Sequence, residues 1–141
     1  SQAVVNKMIE TNTEGVILNI ASDLSIISPD QRIYRKKNLK EEEQVVKPIT
    51  YSAAKHAIVG MTKYLSVYLA PKKIRVNALS PGAVFKDDMP QDFVEKICNL
   101  IPMNRMANPD EYKGAVAFLC SDSSSYMTGQ NISVSGGRDV W

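Results

Sequence analysis

Val16-Ile17-Leu18-Asn19-Ile20-Ala21 is a short, almost wholly apolar run that ends at Ser22. A run this short and this apolar suits a parallel strand covered on both faces, because neither face then has to show polar side chains to water. On its amino side, Ala3, Val4, Val5, Met8 and Ile9 fall on one helical face, and Thr11-Asn12-Thr13-Glu14-Gly15 ends that helix. On its carboxyl side, residues 23–48 keep no period, and Arg32 to Lys47 carries Arg35-Lys36-Lys37 and Glu41-Glu42-Glu43. That stretch reads as a charged surface insertion.

Pro48 precedes a predicted helix over about residues 50–70, with Ala53, Ala54, Ala57, Ile58, Met61, Leu65 and Leu69 as its apolar positions and Pro71 as its stop. Ile74-Arg75-Val76-Asn77-Ala78-Leu79 reads as a second strand, turned by Ser80-Pro81-Gly82. A helix is expected over Gln91 to Leu100. Asn108-Pro109-Asp110 opens another, with Ala115, Val116, Phe118 and Leu119 facing inward. Gly129 leads into a last strand, Asn131 to Val134, closed by Gly136-Gly137. This alternation is the rhythm of an α/β fold with a parallel sheet. The first strand is apolar throughout and expects a neighbour on each side, since a bare apolar edge is a liability. Three strands therefore read as part of a larger sheet.

Composition narrows the function. The chain has 141 residues, 44% hydrophobic and 23% charged, with a net charge of +2. That balance fits one globular domain and gives no reason to expect nucleic-acid or membrane-surface binding. No apolar run is long enough to span a bilayer. Ser1-Gln2-Ala3-Val4-Val5 lacks the pattern of a signal peptide, and the missing initiator Met leads us to expect residues before Ser1. Cys98 and Cys120 have no metal or redox spacing and read as reduced, partly buried thiols of a cytoplasmic protein. His56, the one histidine, makes no metal site alone, so no metal is expected.

Tyr51-Ser52-Ala53-Ala54-Lys55 places a phenol and an ammonium on one helical face. An ammonium beside a phenol favours the phenolate. A phenol so tuned can pass a proton to or from a substrate oxygen while a cofactor moves hydride at the adjacent carbon. An ordinary surface pair has the same spacing, and a second match, Tyr68 to Lys72, is interrupted by Pro71. Ser22 and Ser80-Pro81-Gly82 both follow predicted parallel strands, where sites of open α/β sheets form. Taken singly, Ser22 also fits a capping serine and Ser80-Pro81-Gly82 a plain turn.

Asn19-Ile20-Ala21-Ser22, Tyr51-Ser52-Ala53-Ala54-Lys55, Arg75-Val76-Asn77-Ala78-Leu79-Ser80-Pro81-Gly82 and Thr128-Gly129-Gln130-Asn131 through Gly136-Gly137 occur in the order of the short-chain dehydrogenase/reductases. Over essentially its whole length the chain resembles the carboxy-terminal half of that family. The resemblance implies part of a Rossmann-like, doubly wound parallel sheet, with residues 1–141 as the catalytic half of one domain and 23–48 as an insertion within it. It implies an NAD(P)-dependent oxidoreductase in which Ser22 orients the substrate oxygen and Tyr51 is the general acid/base. Lys55 would assist Tyr51 and bond the nicotinamide ribose. Pro81, Gly82 and Val84 would present backbone to the nicotinamide of NAD or NADP. A small-molecule substrate and a homodimer or homotetramer, joined through the first helix and the Tyr51 helix, are implied as well.

Several features depart from the family pattern. The glycine-rich phosphate turn, the catalytic Asn and the residue that selects NAD or NADP are not in this sequence. Lys86 stands where a Thr often follows the Pro-Gly turn, and Ser135 stands where an Asp commonly precedes the final Gly-Gly. Tyr51 lies 29 positions after Ser22, about twice the usual separation, and the insertion accounts for the excess. The insertion and the ending Gly136-Gly137-Arg138-Asp139-Val140-Trp141 resemble members linked to bacterial surface-sugar and flagellin-glycan biosynthesis. Arg32, Arg35, Lys36 and Lys37 would then meet an anionic sugar as a flap, the alternative being a solvated hairpin whose Lys and Glu residues pair with each other. The alternative to an enzyme is a fragment or interaction module that cannot bind a dinucleotide alone.

Overall fold

The computed structural model describes residues 2–141. Helix α1 (Gln2–Glu10) leads into strand β1 (Gly15–Ile20), and the insertion separates β1 from the long helix α2 (Ile49–Leu69). Strand β2 (Ile74–Pro81), helices α3 (Gln91–Cys98) and α4 (Lys113–Cys120), and strand β3 (Asn131–Val134) complete the chain. The strands form one parallel sheet in the order β1-β2-β3, with Gly15 opposite Ile74, Ile20 opposite Leu79 and Pro81 opposite Val134. β1 pairs with β2 alone among the described residues, so its other edge is open and the strand is only half-buried.

Strand alternation places the helices. Ile17 and Asn19 of β1 share a face with Ile74, Val76 and Ala78 of β2. There Val5, Leu69, Ile74 and Val76 form a buried cluster with Met8, Ile17 and Leu65 against it. Asn19 Nδ2 donates to Thr62 Oγ1 at 2.9 Å, fixing α2 on this face. The opposite face carries Arg75 and Asn77. Arg75 donates to the Ser121, Ser124 and Met127 carbonyls, and Asn77 holds Met127 and Gln130, so both tie the segment after α4 to β2. The helices thus cover both sides of the sheet.

The burial differs from the periodicity in informative places. In α2 the packed side is Thr62, Ser66 and Leu69, with Ile58 and Leu65 half-buried, whereas Ala53, Ala54, Ala57 and Met61 lie outside. In α4 only Leu119 is buried. Val116 and Phe118 are exposed, because a three-stranded sheet with an open edge gives an eight-residue helix little to cover. Cys98 is half-buried as expected, and Cys120 is exposed. α3 stops at Cys98, and the turn Pro109–Tyr112 is 3-10 before α4 begins at Lys113. Among the described residues no helix is long and apolar enough to cross a membrane.

The insertion is not a wholly solvated loop. Asp23, Leu24, Ser25 and Ile33 are buried, and Ile33 packs with Ile97, Ile101 and Met106 in a second apolar cluster. Tyr34 meets Phe93 of α3 with ring centroids 5.7 Å apart, and Lys96 Nζ donates to the Arg35 carbonyl at 2.7 Å. Two exposed arginines of the insertion pair with acidic residues of the insertion itself. Arg32 grips Asp30 through Nε and Nη2, and those hydrogen bonds hold the Asp30 carboxyl down to about 2. Arg35 pairs with Glu41. Both arginines are thus paired within the insertion, one with an Asp and one with a Glu.

This division predicts unequal stability effects within the insertion. Ile33→Ala removes a buried anchor and is expected to cost about 2–5 kcal/mol. Val45→Ala, at a side chain 54% exposed, should stay within about 0.5 kcal/mol. Denaturant unfolding of the complete protein measures both, and equal effects would contradict the anchoring.

Candidate active site

Because all three strands run the same way, Ser22, Ser80-Pro81 and Val134-Ser135 leave the sheet at one edge. The start of α2 reaches that edge. Lys55 Nζ donates to the carbonyl of Ile20, the last residue of β1, at 3.1 Å. Lys55 also lies 5.7 Å from the ring centroid of Tyr51, one turn earlier. The two residues expected to act together therefore do meet, at the carboxyl end of β1 and two residues from Ser22.

A second cation stands at Tyr51. Lys47, the last insertion residue before Pro48, holds its Nζ over the ring, 3.8 Å from the centroid, in a cation–π contact. Its backbone is pinned by Gln31: Lys47 N donates to Gln31 Oε1 at 2.8 Å, and Gln31 Nε2 donates to the Lys47 carbonyl at 3.3 Å. Burial pushes the Tyr34 phenol up, Arg138 opposes this, and Asp23 and Tyr51 add to the rise.

Ser22 is extended (φ −168°, ψ 158°) and caps the 3-10 turn Asp23–Ser25, accepting from Leu24 N at 3.2 Å. The capping role and a place at the sheet edge thus coincide in one residue. Its Oγ donates to Asp23 Oδ1 at 2.9 Å. Behind it, Ser25 Oγ donates to the Ser22 carbonyl at 2.6 Å, contacts Ser80 Oγ at 3.0 Å, and Ser80 Oγ contacts Asn131 Oδ1 at 2.7 Å. Two hydroxyl protons cannot serve three such contacts. Turning the Asn131 amide so that its Nδ2 donates to Ser80 satisfies the whole chain. This row links the carboxyl ends of β1 and β2 to Asn131, the first residue of β3.

The Pro81–Val84 turn is less uniform than expected. Pro81 has no N–H to offer, and the Gly82 N–H is already committed to the Val134 carbonyl at 2.9 Å. A side chain at Gly82 would put its Cβ 2.8 Å from Ser135 Cα, so only glycine lets the two strand ends approach. Ala107 N donates to the Ala83 carbonyl, and Phe85 N donates to the Ala107 carbonyl, each at 2.9 Å. This parallel bridge turns Val84's own N–H and C=O to the other side. Of the three positions, Val84 has both backbone groups turned off the bridge. Lys86 is exposed.

The carboxy-terminal segment closes the far side. Gly136 and Gly137 adopt positive φ (67° and 90°) against Ile101 and Pro102, and Trp141 Nε1 donates to the Leu100 carbonyl at 3.0 Å. Ser135 donates to Asp139, so a carboxylate does reach the position where the sequence has Ser135. Burial raises the Asp139 carboxyl, but hydrogen bonding, with Ser135 the leading donor, outweighs it and leaves it lowered. Arg138 Nη1 bonds Asp23 Oδ2 at 2.8 Å.

Sequence reasoning missed Lys47, Gln31, Asp23 and Arg138. Lys47 stands as far before Tyr51 as Lys55 stands after it, but Pro48 intervenes, so helical spacing gave it no meaning. Arg138 meets Asp23 across 115 positions, a contact that local pattern cannot show.

Comparison with known proteins agrees with this geometry. The family described as "Enoyl-(Acyl carrier protein) reductase" matches residues 1–139. The 3-oxoacyl-[acyl-carrier-protein] reductase FabG of Rickettsia felis is 37% identical over 97% of this chain and 51% of its own length. A short-chain dehydrogenase from Leptospira borgpetersenii, solved with bound NAD+, superposes with a TM-score of 0.88 at 36% identity, covering 99% of this chain and 50% of that one. A gluconate 5-dehydrogenase from Burkholderia cenocepacia, in complex with NADP and tartrate, does so at 0.79 and 29% identity, over 97% of this chain and 49% of that one. The sheet and its covering helices are thus those of the Rossmann-fold dehydrogenases. The chain belongs to the short-chain dehydrogenase/reductase family, and it spans about half the length of these relatives.

The segment carrying Ala107 is braced by Arg105, which grips both oxygens of Glu111 at 2.6 and 2.7 Å. These hydrogen bonds, with the Asn108 N–H, hold the Glu111 carboxyl down to about 2. A folded value below the ordinary ~4.3 adds stability that is present above the ordinary value and is lost as pH falls through about 2. Glu111→Gln is therefore expected to lower the melting temperature at neutral pH and to converge with wild type as the pH approaches about 2. A constant difference across that range of thermal melts would contradict the pairing.

Proposed function

We propose that this chain supplies the catalytic half of an NAD(P)-dependent oxidoreductase that interconverts a hydroxyl and a carbonyl. The observation that carries this reading is the Lys55 bond to Ile20 O, which brings the Tyr51–Lys55 pair to the sheet edge where Ser22 stands. Tyr51 is the general acid/base, passing a proton to or from the substrate oxygen. Lys55 and Lys47 place two ammonium groups against the Tyr51 ring, 5.7 and 3.8 Å from its centroid. Ser22 orients the substrate oxygen.

The residues present fit the nicotinamide end of NAD or NADP. Lys55 offers an ammonium for the ribose, and Val84 offers backbone groups turned off their bridge for the carboxamide. When bound, the nicotinamide supplies the hydride chemistry at the carbinol carbon. For the substrate we carry forward a sugar or sugar-derived hydroxyl, a reading that the likeness to the gluconate 5-dehydrogenase supports. We also infer a homodimer or homotetramer through α1 and α2. Tyr64, Val67 and Tyr68 stand 64–77% exposed on α2, apolar surface of the kind that association covers.

In the complete protein, Tyr51→Phe is expected to reduce turnover by at least ~100-fold, the lower range for losing a general acid/base, while dinucleotide binding persists by fluorescence titration. Undiminished turnover would remove Tyr51 from this role.

The open β1 edge favours a second expectation for the 141 residues in isolation. No glycine-rich turn in this sequence offers the helix amino terminus that holds a pyrophosphate. The isolated chain should therefore show no saturable binding of NADH or NADPH by fluorescence, and micromolar binding would refute this.

A further inference from the structure

We propose that Arg138 is a positioning residue of the catalytic site, acting through Asp23 on the hydroxyl of Ser22; this rests on the reading of Ser22 given above. The pair is an interior one, with side chains 6% and 4% exposed. Every Asp23 oxygen is engaged. Oδ1 accepts from Ser22 Oγ at 2.9 Å and from Leu24 N at 2.8 Å, and Oδ2 accepts from Arg138 Nη1 at 2.8 Å. Arg138 itself is carried by the segment that Gly136 and Gly137 fold against Ile101 and Pro102. The orientation of Ser22 is thereby set by the end of the chain.

The chemistry of the hydroxyl makes this consequential. A serine has one proton and two acceptor sites. The Ser22 proton goes to Asp23, and one acceptor site takes the Leu24 N–H. One acceptor site is left for the substrate. As held, Ser22 receives a hydrogen bond from a substrate hydroxyl, and to donate to a carbonyl it must turn its proton away from Asp23. A carboxylate fixed at both oxygens resists that turn. The Asp23–Arg138 pair thus determines which partner Ser22 presents to the reacting oxygen.

The test is a double-mutant cycle in the complete enzyme. Removing Arg138 alone strands a buried carboxylate and risks unfolding, so D23N/R138M, which removes both charges, is the working variant, and R138K is the conservative one. Each is made with and without S22A. Turnover is read with D-gluconate and NAD+ or NADP+, and dinucleotide affinity by fluorescence. D23N/R138M is expected to lower kcat about tenfold with Ser22 present and to have little further effect in S22A, the non-additivity of groups acting through one another. R138K should recover part of kcat, and dinucleotide affinity should hold throughout.

Equal losses in both backgrounds, or no loss with Ser22 present, would overturn the proposal. Y51F is run alongside. If it abolishes turnover while the cycle is additive, this inference alone fails. If it retains turnover, the catalytic reading fails with it. A neutron crystal structure of the D23N/R138M enzyme, which locates the hydroxyl deuteron, decides independently of substrate. The Ser22 deuteron is expected to point away from position 23, and one still directed there overturns the proposal.

Discussion

The parallel register of β1 with β2, and of β2 with β3, is the constraint on which the site depends. Parallel strands deliver their carboxyl ends to one edge, so residues far apart in sequence arrive there without any dedicated contact between them. Ser22 follows β1, Ser80 ends inside β2, and Ser135 follows β3. The row Ser22 carbonyl, Ser25, Ser80, Asn131 ties the carboxyl ends of β1 and β2 to the start of β3 under the surface. α2 is then oriented by two polar contacts with β1, at Asn19 and at Ile20. Turning α2 about its axis would move Tyr51 and Lys55 together, because both contacts come from the same face.

The same architecture leaves surface that the described residues do not cover. β1 is apolar yet half-buried, and its second edge meets no strand. The outer side of α2 bears Met61, Tyr64, Val67 and Tyr68, with Tyr64 and Tyr68 stacked at 6.2 Å. Ala53, Ala54 and Ala57 are exposed, and so are Val116 and Phe118. Their periodicity was legible, but no described residue buries them.

What was legible in the sequence is what local physics determines. The strand Val16–Ala21 was read one residue late at each end, Asn131–Val134 was read as it stands, and Pro71 marked the stop of α2. Tyr51 and Lys55 were visible because a helix makes their neighbourhood a matter of spacing. The charge of residues 23–48 was legible, and Arg35 does pair with Glu41 there, but the buried part of the segment was not. Ile33 and Tyr34 are an apolar pair among charges, and only the arrival of α3 gives them a partner. Lys47 illustrates the same limit from the other side. Its place over Tyr51 comes from the Gln31 clamp across the base of the insertion, which no periodicity encodes.

Asp23 and Arg138 show why a buried charge at such a place is better explained by direction than by stability. Desolvating a carboxylate and a guanidinium costs several kcal/mol each, and well-packed apolar residues often serve stability equally well or better. An apolar pair could fill the volume but could not accept a proton from Ser22 or fix the angle at which it does so. The carboxylate makes three hydrogen bonds to two segments: to the Ser22 hydroxyl and the Leu24 N–H in the first turn after β1, and to Arg138 in the carboxy-terminal segment. Its neighbours register its charge, since Asp23 contributes to raising both Tyr34 and Tyr112, in each case after burial. Arg138 opposes that contribution at Tyr34. A charge so placed, held on two sides and neutralised on one, keeps a hydroxyl oriented at the edge of a sheet, where the backbone alone would leave it free to rotate.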